Sequence, residues 1–186
     1  MSTQLTVKPD AHVMSPVPCR IISVEQELQD TYTLEIEPPR DDWGFLPGQY
    51  TMLYAFGIGE VPISISGDPA DSTKIVQTIR AVGAVTDALV DLQPGDHVGV
   101  RGPFGTAWDT SAAEDRDVLI IAGGVGLAPL RPVVFDVLNH RNLYRNVTLM
   151  YGARSPTDLL FASQIRKWRG RFDLEVLVTV DQADET

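Results

Sequence analysis

Residues 118–129 read VLIIAGGVGLAP: an unbroken apolar run that passes into a glycine turn and then into a helix-compatible stretch. A run of branched aliphatics without polar alternation is expected to be buried on both faces, as in a parallel sheet flanked by helices. The turn Gly123-Gly124-Val125-Gly126 places bare backbone amides at a helix N-terminus, which suits a phosphate group. A plain strand–turn–helix has the same local pattern, so the neighbouring segments decide. Downstream, a strand at 117–122 is followed by a helix at 127–139, a strand at 146–151, a helix at 158–168 and a strand at 174–180. This β-α-β-α-β series is the layout of a mononucleotide-binding half of a doubly wound sheet. In the usual order its first strand is central; with only three strands it becomes an open apolar edge. A longer natural protein, or another cover for that edge, is therefore expected, with a complete small domain as the alternative.

Upstream of the charged linker at 109–116 the rhythm differs. Strands are predicted at 18–26, 31–37, 50–56, 62–66, 74–82 and 97–101. They are separated by turns such as Gly57-Ile58-Gly59, Gly67-Asp68-Pro69 and Pro94-Gly95-Asp96. A short helix is predicted at 86–92, where Ala88, Leu89 and Leu92 share a face. Closely spaced alternating strands with one short helix indicate a small antiparallel barrel. The predicted architecture is a six-stranded Greek-key barrel at 17–110, then a partial doubly wound α/β domain at 113–186. An extended N-terminal arm at 1–16 is predicted from its scattered polar residues and prolines.

The net charge of −10 argues against nucleic acid or an anionic membrane as partner. No run approaches the length of a membrane span, and residues 1–16 lack the pattern of a secretory signal. Cys19 is the only cysteine, so an intrachain disulfide or a cysteine-ligated iron–sulfur cluster held by these residues alone is excluded. A cytoplasmic setting is expected. An anionic cofactor would need local cations, for which Arg80, Arg101, Arg131 and Arg154 are candidates, each near a turn or strand end. His12, His97 and His140 are too far apart for metal-like spacing and read as surface residues, while Trp43, Trp108 and Trp168 read as packing residues. Ser64 has no histidine and acidic partner in the pattern of a hydrolase triad.

The segments PGQY (47–50), GIGEVPISIS (57–66), RAVGAVT (80–86), PGD (94–96) and GPFG (102–105), followed by IAGGVGLAPLRP (121–132) and YGARSPTDLLF (151–161), resemble the ferredoxin–NADP reductase superfamily. Within it the pattern is most similar to the flavin-bearing gamma (diaphorase) subunits of cytoplasmic bidirectional nickel–iron hydrogenases. The corresponding subunits of anaerobic sulfite reductases and the electron-transfer subunits of dihydroorotate dehydrogenases share it. The resemblance implies FAD on the barrel and NAD(P)H as substrate of the second domain.

In that family a strand motif Arg-x-Tyr-Ser holds the flavin: arginine on the diphosphate, tyrosine over the ring, serine near N5. Here Val61 and Ile63 stand in the first and third places and Ser64 in the fourth. The resemblance assigns Pro62, Ile63, Ser64, Ile65 and Ser66 to the flavin, with Ile63 covering the ring by dispersion and Ser64 bonding N5 or O4. Without the arginine, the diphosphate is expected to rest on Arg80, Val82, Gly83, Val85 and Thr86, where a short helix begins; Thr86 is equally readable as a plain capping residue. Gly123, Gly124, Gly126, Tyr151, Gly152 and Arg154 are assigned to NAD(P). Arg154 either holds a 2′-phosphate or pairs with Asp158. Residues 181–186 are expected near the adenosine end.

The expected function is that of an FAD-containing subunit that exchanges hydride with NAD(P)H and passes electrons to iron–sulfur partner subunits. No side-chain acid or base is needed for that exchange, and no catalytic residue is assigned. Relatives carry a Cys-Gly-Pro turn and, in the subunit type, a cysteine-rich 2Fe–2S segment, so a 2Fe–2S cluster is expected only with a C-terminal extension. The alternatives of another class are a flavin-binding docking module and a nucleotide-sensing regulator.

Overall fold

The computed structural model describes residues 15–182. Strands β1 (Val17–Leu28), β2 (Thr31–Ile36), β3 (Tyr50–Ala55), β4 (Gly59–Ser64), β5 (Ile75–Arg80) and β6 (His97–Phe104) form a six-stranded sheet in the order β4-β3-β6-β1-β2-β5. Its neighbouring strands pair antiparallel throughout. An isolated bridge between Ile65 and Gln77 joins its two ends and closes the barrel. Alternation drives this closure, since one side of each strand supplies the core of Ile21, Leu34, Ile36, Leu53, Ile75, Ile79, Val98 and Val100. Helix α1 (Ala84–Val90) adds Leu89 to that core. Cys19 lies in the same core, and burial, aided by the charge of Glu37, pushes its thiol up to about 11.

The second domain is built from β7 (Val118–Gly123), α2 (Leu127–Asn139), β8 (Val147–Ala153), α3 (Ala162–Arg169) and β9 (Glu175–Val180). Its three strands are parallel in the order β7-β8-β9, so β7 is an edge, as the strand count implied. Burial on both faces is corrected, however. Ile120 and Ala122 of β7 are buried, but Leu119 and Ile121 are 58% and 64% exposed. The two crossovers step in the same direction along the sheet, and right-handed connections then put both helices on one face. The other face presents Ile121, Met150 and Leu177 in one row of register.

Several boundaries shift. The fourth strand begins at Gly59 rather than 62, because the β3–β4 pairing extends to Ala55 opposite Gly59. Helix α3 starts at Ala162 rather than 158, because Phe161 takes a left-handed conformation (φ 55°) that breaks the helical path. The linker carries a 3-10 turn at Thr110–Ala113, capped by the Asp109 carboxylate accepting from the Ala112 amide at 3.2 Å. Trp43 and Trp168 are buried as expected of packing residues, but Trp108 is 59% exposed. It lies on the rim of a groove along the open edge of β7, with Leu119, Pro129 and Val133. His97 and His140 are exposed, and His12 lies outside the described residues. Among the described residues no helix is long and apolar enough to cross a membrane.

Candidate functional site

The end of β4 is pinned from inside the barrel. Gln77, fully buried, donates from Nε2 to the Ile63 carbonyl at 2.7 Å and accepts from the Thr51 hydroxyl at 3.2 Å. The Ile65 amide donates to the Gln49 carbonyl at 3.1 Å. These bonds satisfy buried polar groups that would otherwise cost stability, and they fix the direction of the next side chains. Ile65 and Ser66 turn inward. The Ser66 hydroxyl bonds the Thr78 hydroxyl at 2.9 Å and the Val76 carbonyl at 3.3 Å. The side chains of Ile65 and Ser66 are therefore in the barrel interior, which leaves only their main chain for the flavin contact assigned to these two residues. Ser64 differs: it is half-buried and its hydroxyl has no partner among the described residues. Pro62 is exposed and Ile63 half-buried, beside it on the strand.

The start of α1 also departs from expectation. The Thr86 hydroxyl accepts from the amides of Val82 and Gly83 at 2.9 and 3.1 Å and donates to the Gly83 carbonyl at 2.9 Å. Thr86 is thus a capping residue, and it occupies two amides expected to face a diphosphate. The amides of Ala84 and Val85, at the head of the helix, have no intrahelical partner. Val82 itself is 75% exposed.

The strongest convergence lies between the domains. A cleft of about 520 Å³ is lined by Leu28, Asp30, Thr31 and Arg80 from the barrel. Facing them are Gly123, Gly124, Val125, Gly152, Ala153, Arg154, Asp158 and Asp181 of the α/β domain. The size suits a bound small molecule, and the position is the carboxyl edge of a parallel sheet, where open α/β folds take ligands. At Gly123, Gly124 and Gly126 an added methyl would meet no protein atom within 4 Å. Protein packing does not demand glycine there, so the bare backbone serves what lies in the open space. Gly124 has a further reason, since its φ of +51° is left-handed.

Arg80, at the end of β5, forms an ion pair with Asp30 of the β1–β2 turn at 2.7 Å, which holds the Asp30 carboxyl below the usual range, helped by the Thr31 hydroxyl. Arg154 pairs with Asp158 at 3.0 Å, while the Ser155 hydroxyl donates to the other Asp158 oxygen at 2.9 Å. Gly126 lines the groove on the β7 edge instead of the cleft. Tyr151 is corrected too. Its ring is buried, and its hydroxyl donates to the Gly124 carbonyl at 3.3 Å and accepts from the Leu160 amide at 3.0 Å. It braces the glycine turn from behind.

Arg131 connects the two halves without entering the cleft. From α2 it donates through Nη1 to the Ser66 carbonyl at 3.2 Å, and its guanidinium lies 4.3 Å from the Phe161 ring centroid and 5.2 Å from that of Phe135. Burial lowers its pKa, and its Nε has no partner among the described residues. Asn139 of the same helix adds a bond to Asp68 at 3.0 Å. Arg101 pairs with Glu60 on the barrel. The cleft roles of Asp30 and Thr31 were missed. A polar hairpin tip is an ordinary turn in sequence, and no spacing signal places it against a distant glycine turn.

Residues 120–186 match the family of oxidoreductase NAD-binding domains. Over 151 residues the chain is 37% identical to sulfhydrogenase 1 subunit gamma of Pyrococcus furiosus, across 80% of this chain and 52% of that protein. It is 36% identical over 154 residues to a probable dihydroorotate dehydrogenase B (NAD(+)) electron transfer subunit of Methanocella arvoryzae, across 82% and 54%. The chain therefore spans about half the length of these relatives. The ferredoxin reductase in carbazole 1,9a-dioxygenase has the same fold, with a TM-score of 0.76 at 20% identity over 92% of this chain and 52% of that one.

Proposed function

We propose that the chain is a flavin-bearing electron-transfer subunit of the ferredoxin-reductase-like kind, a reading supported by the match of residues 120–186 to the oxidoreductase NAD-binding domain family and by the fold shared with the ferredoxin reductase in carbazole 1,9a-dioxygenase. In this reading FAD lies against β4 and NAD(P)H enters the interdomain cleft. The observation that carries it is the cleft itself, where a glycine turn with open space over its backbone faces Arg80 of the barrel. FAD, when bound, supplies a two-electron acceptor that can release electrons one at a time.

The chain's own residues bind and orient. The Ser64 hydroxyl, without a partner among the described residues, would hydrogen-bond the polar edge of a bound flavin ring, and Ile63 would cover the ring by dispersion. Arg80 and the amides of Ala84 and Val85 are the donors left for a flavin diphosphate, since Val61 stands where the family has arginine and Thr86 is occupied in capping. Gly123 and Gly124 let nucleotide phosphates approach the main chain beside α2. The domains bring two reactants into one geometry and exclude water, which is the protein's contribution to such a transfer.

Partner subunits carrying iron–sulfur centres are the expected acceptors in the cytoplasm. The hydrogenase gamma and dihydroorotate dehydrogenase relatives support their respective assemblies about equally. The test is the visible spectrum of the purified, FAD-reconstituted chain under anaerobic conditions. Flavin absorption bands that bleach on adding NADH or NADPH are the expected result. Bands that persist with nucleotide yet bleach with dithionite point instead to a docking module, and a chain that takes up no flavin refutes the proposal.

A further inference from the structure

From Gly123 and Gly124 the cleft continues over the ends of β8 and β9, past Gly152 and Ala153. It opens into a depression lined by Arg154, Ser155, Asp158, Asp181 and Gln182. A dinucleotide with its diphosphate on the glycine turn and its nicotinamide toward the barrel puts its adenosine ribose here. NAD(H) presents a 2′-hydroxyl at that ribose, and NADP(H) presents a 2′-phosphate carrying up to two negative charges.

Among the described residues lining the depression Arg154 is the one cation, against the carboxylates of Asp158 and Asp181. Arg154 is already engaged: its Nη2 donates to Asp158 at 3.0 Å, and Ser155 holds the other carboxylate oxygen at 2.9 Å. The Ser155 bond, then the Arg154 bond and charge, hold the Asp158 carboxyl below its usual range, so it is ionised at neutral pH. On the barrel side, the charge of Asp30 is met by Arg80 at 2.7 Å, which leaves no surplus positive charge facing the depression from that wall.

We infer that this depression selects NAD(H) over NADP(H), with Asp158 and Asp181 as the discriminating residues. A 2′-hydroxyl donates a hydrogen bond to a carboxylate. A 2′-phosphate meets the like charges of both carboxylates, and the one cation beside it, Arg154, already has its charge balanced by Asp158. The inference rests on reading the cleft as a dinucleotide site and deepens that reading by naming the nucleotide.

Anaerobic titration of the flavin-loaded chain, its flavin reduced beforehand with dithionite so that no hydride can be accepted, with NADH and with NADPH, followed by nucleotide fluorescence, tests it without requiring turnover. NADH is expected to bind at least about tenfold more tightly. The double variant Asp158→Asn/Asp181→Asn removes both charges and frees Arg154. It is expected to shift the affinity ratio toward NADPH by about tenfold or more, with an unchanged far-ultraviolet circular dichroism spectrum. Equal affinity or a preference for NADPH in the parent chain overturns the selectivity, as does an unchanged ratio in the double variant. Binding of neither dinucleotide overturns the reading of the cleft itself, and the selectivity with it.

Discussion

Gly123→Val leaves the thermal stability of the chain nearly unchanged and weakens nicotinamide nucleotide binding by about 100-fold, a loss of about 3 kcal/mol. Gly123 ends β7 in an extended conformation, φ −131° and ψ 130°, which a β-branched residue adopts readily. The first carbon of a side chain there meets no atom of the described residues beyond its chain neighbours within 4 Å, so it stands in open space. That carbon and its methyls enter the cleft where the nucleotide phosphates approach the main chain. The collision is with the ligand alone. Gly124→Val is a poorer test, since its positive φ adds backbone strain to any loss of binding. Isothermal titration with NADH beside a thermal melt separates the two effects. A variant that binds as the parent does removes the glycine turn from the site.

Arg131→Ala lowers the stability by about 2–4 kcal/mol, or a fall in Tm of roughly 5–15 °C. Two opposing effects decide the magnitude. The buried guanidinium carries a desolvation cost and an unpartnered Nε, which favours its removal. Against this stand its contacts with Phe161 and Phe135, its bond to the Ser66 carbonyl, and its charge beside Glu27. Truncation to alanine loses all of these and leaves a cavity between the domains. Arg131→Met restores most of the volume and is expected to recover at least half of the loss.

The pH dependence gives an independent signature. Burial holds the Glu27 pKa above its ordinary value, opposed by the Thr33 hydroxyl, the Arg131 charge and the Phe161 backbone. A carboxyl with a raised folded pKa binds more protons in the native state. Stability attributable to it is therefore highest below the ordinary glutamate pKa and falls as pH rises through the raised value. Without Arg131 the Glu27 pKa rises further and that window extends upward. The variant's deficit relative to the parent is therefore larger at pH 8 than at pH 5. A pH-independent deficit would place the whole effect in packing.

The fold was legible where one local pattern admitted one tertiary answer. Alternating strands such as 31–36 bury a single face in the barrel, and residues 118–126 combine a strand run with a glycine turn that the structure retains. The same apolar run misled about burial. Leu119 and Ile121 carry the composition of a doubly covered strand, yet which faces are covered depends on where later crossovers go. The left-handed Phe161 that delays α3 leaves no mark in its residue type, since glycine is the usual signal for that conformation.

At the site, main-chain features were easier to read than side-chain roles. Gly123, Gly124, Gly152, Arg80 and Arg154 do gather in one cleft. Residue type alone did not distinguish a hydroxyl facing outward, as at Ser64, from one bonded within the protein, as at Ser66 and Thr86. That distinction follows from where β4 ends, at Ser64, so that the chain beyond it turns into the barrel, and from amides that only the fold brings within reach. Tyr151 likewise has the polar tip of a ligand contact, but strand alternation turns it toward the helices, where it holds the Gly124 turn.

The central claim, that a flavin ring is seated on β4 beside the cleft, is tested most directly by an electron-density map of the chain crystallised with FAD. The account predicts ring density against Ile63, with the polar edge within hydrogen-bonding distance of the Ser64 hydroxyl and open toward Gly123 and Gly124. Flavin density elsewhere on the molecule, or protein side chains filling the space beside Ser64, would contradict it.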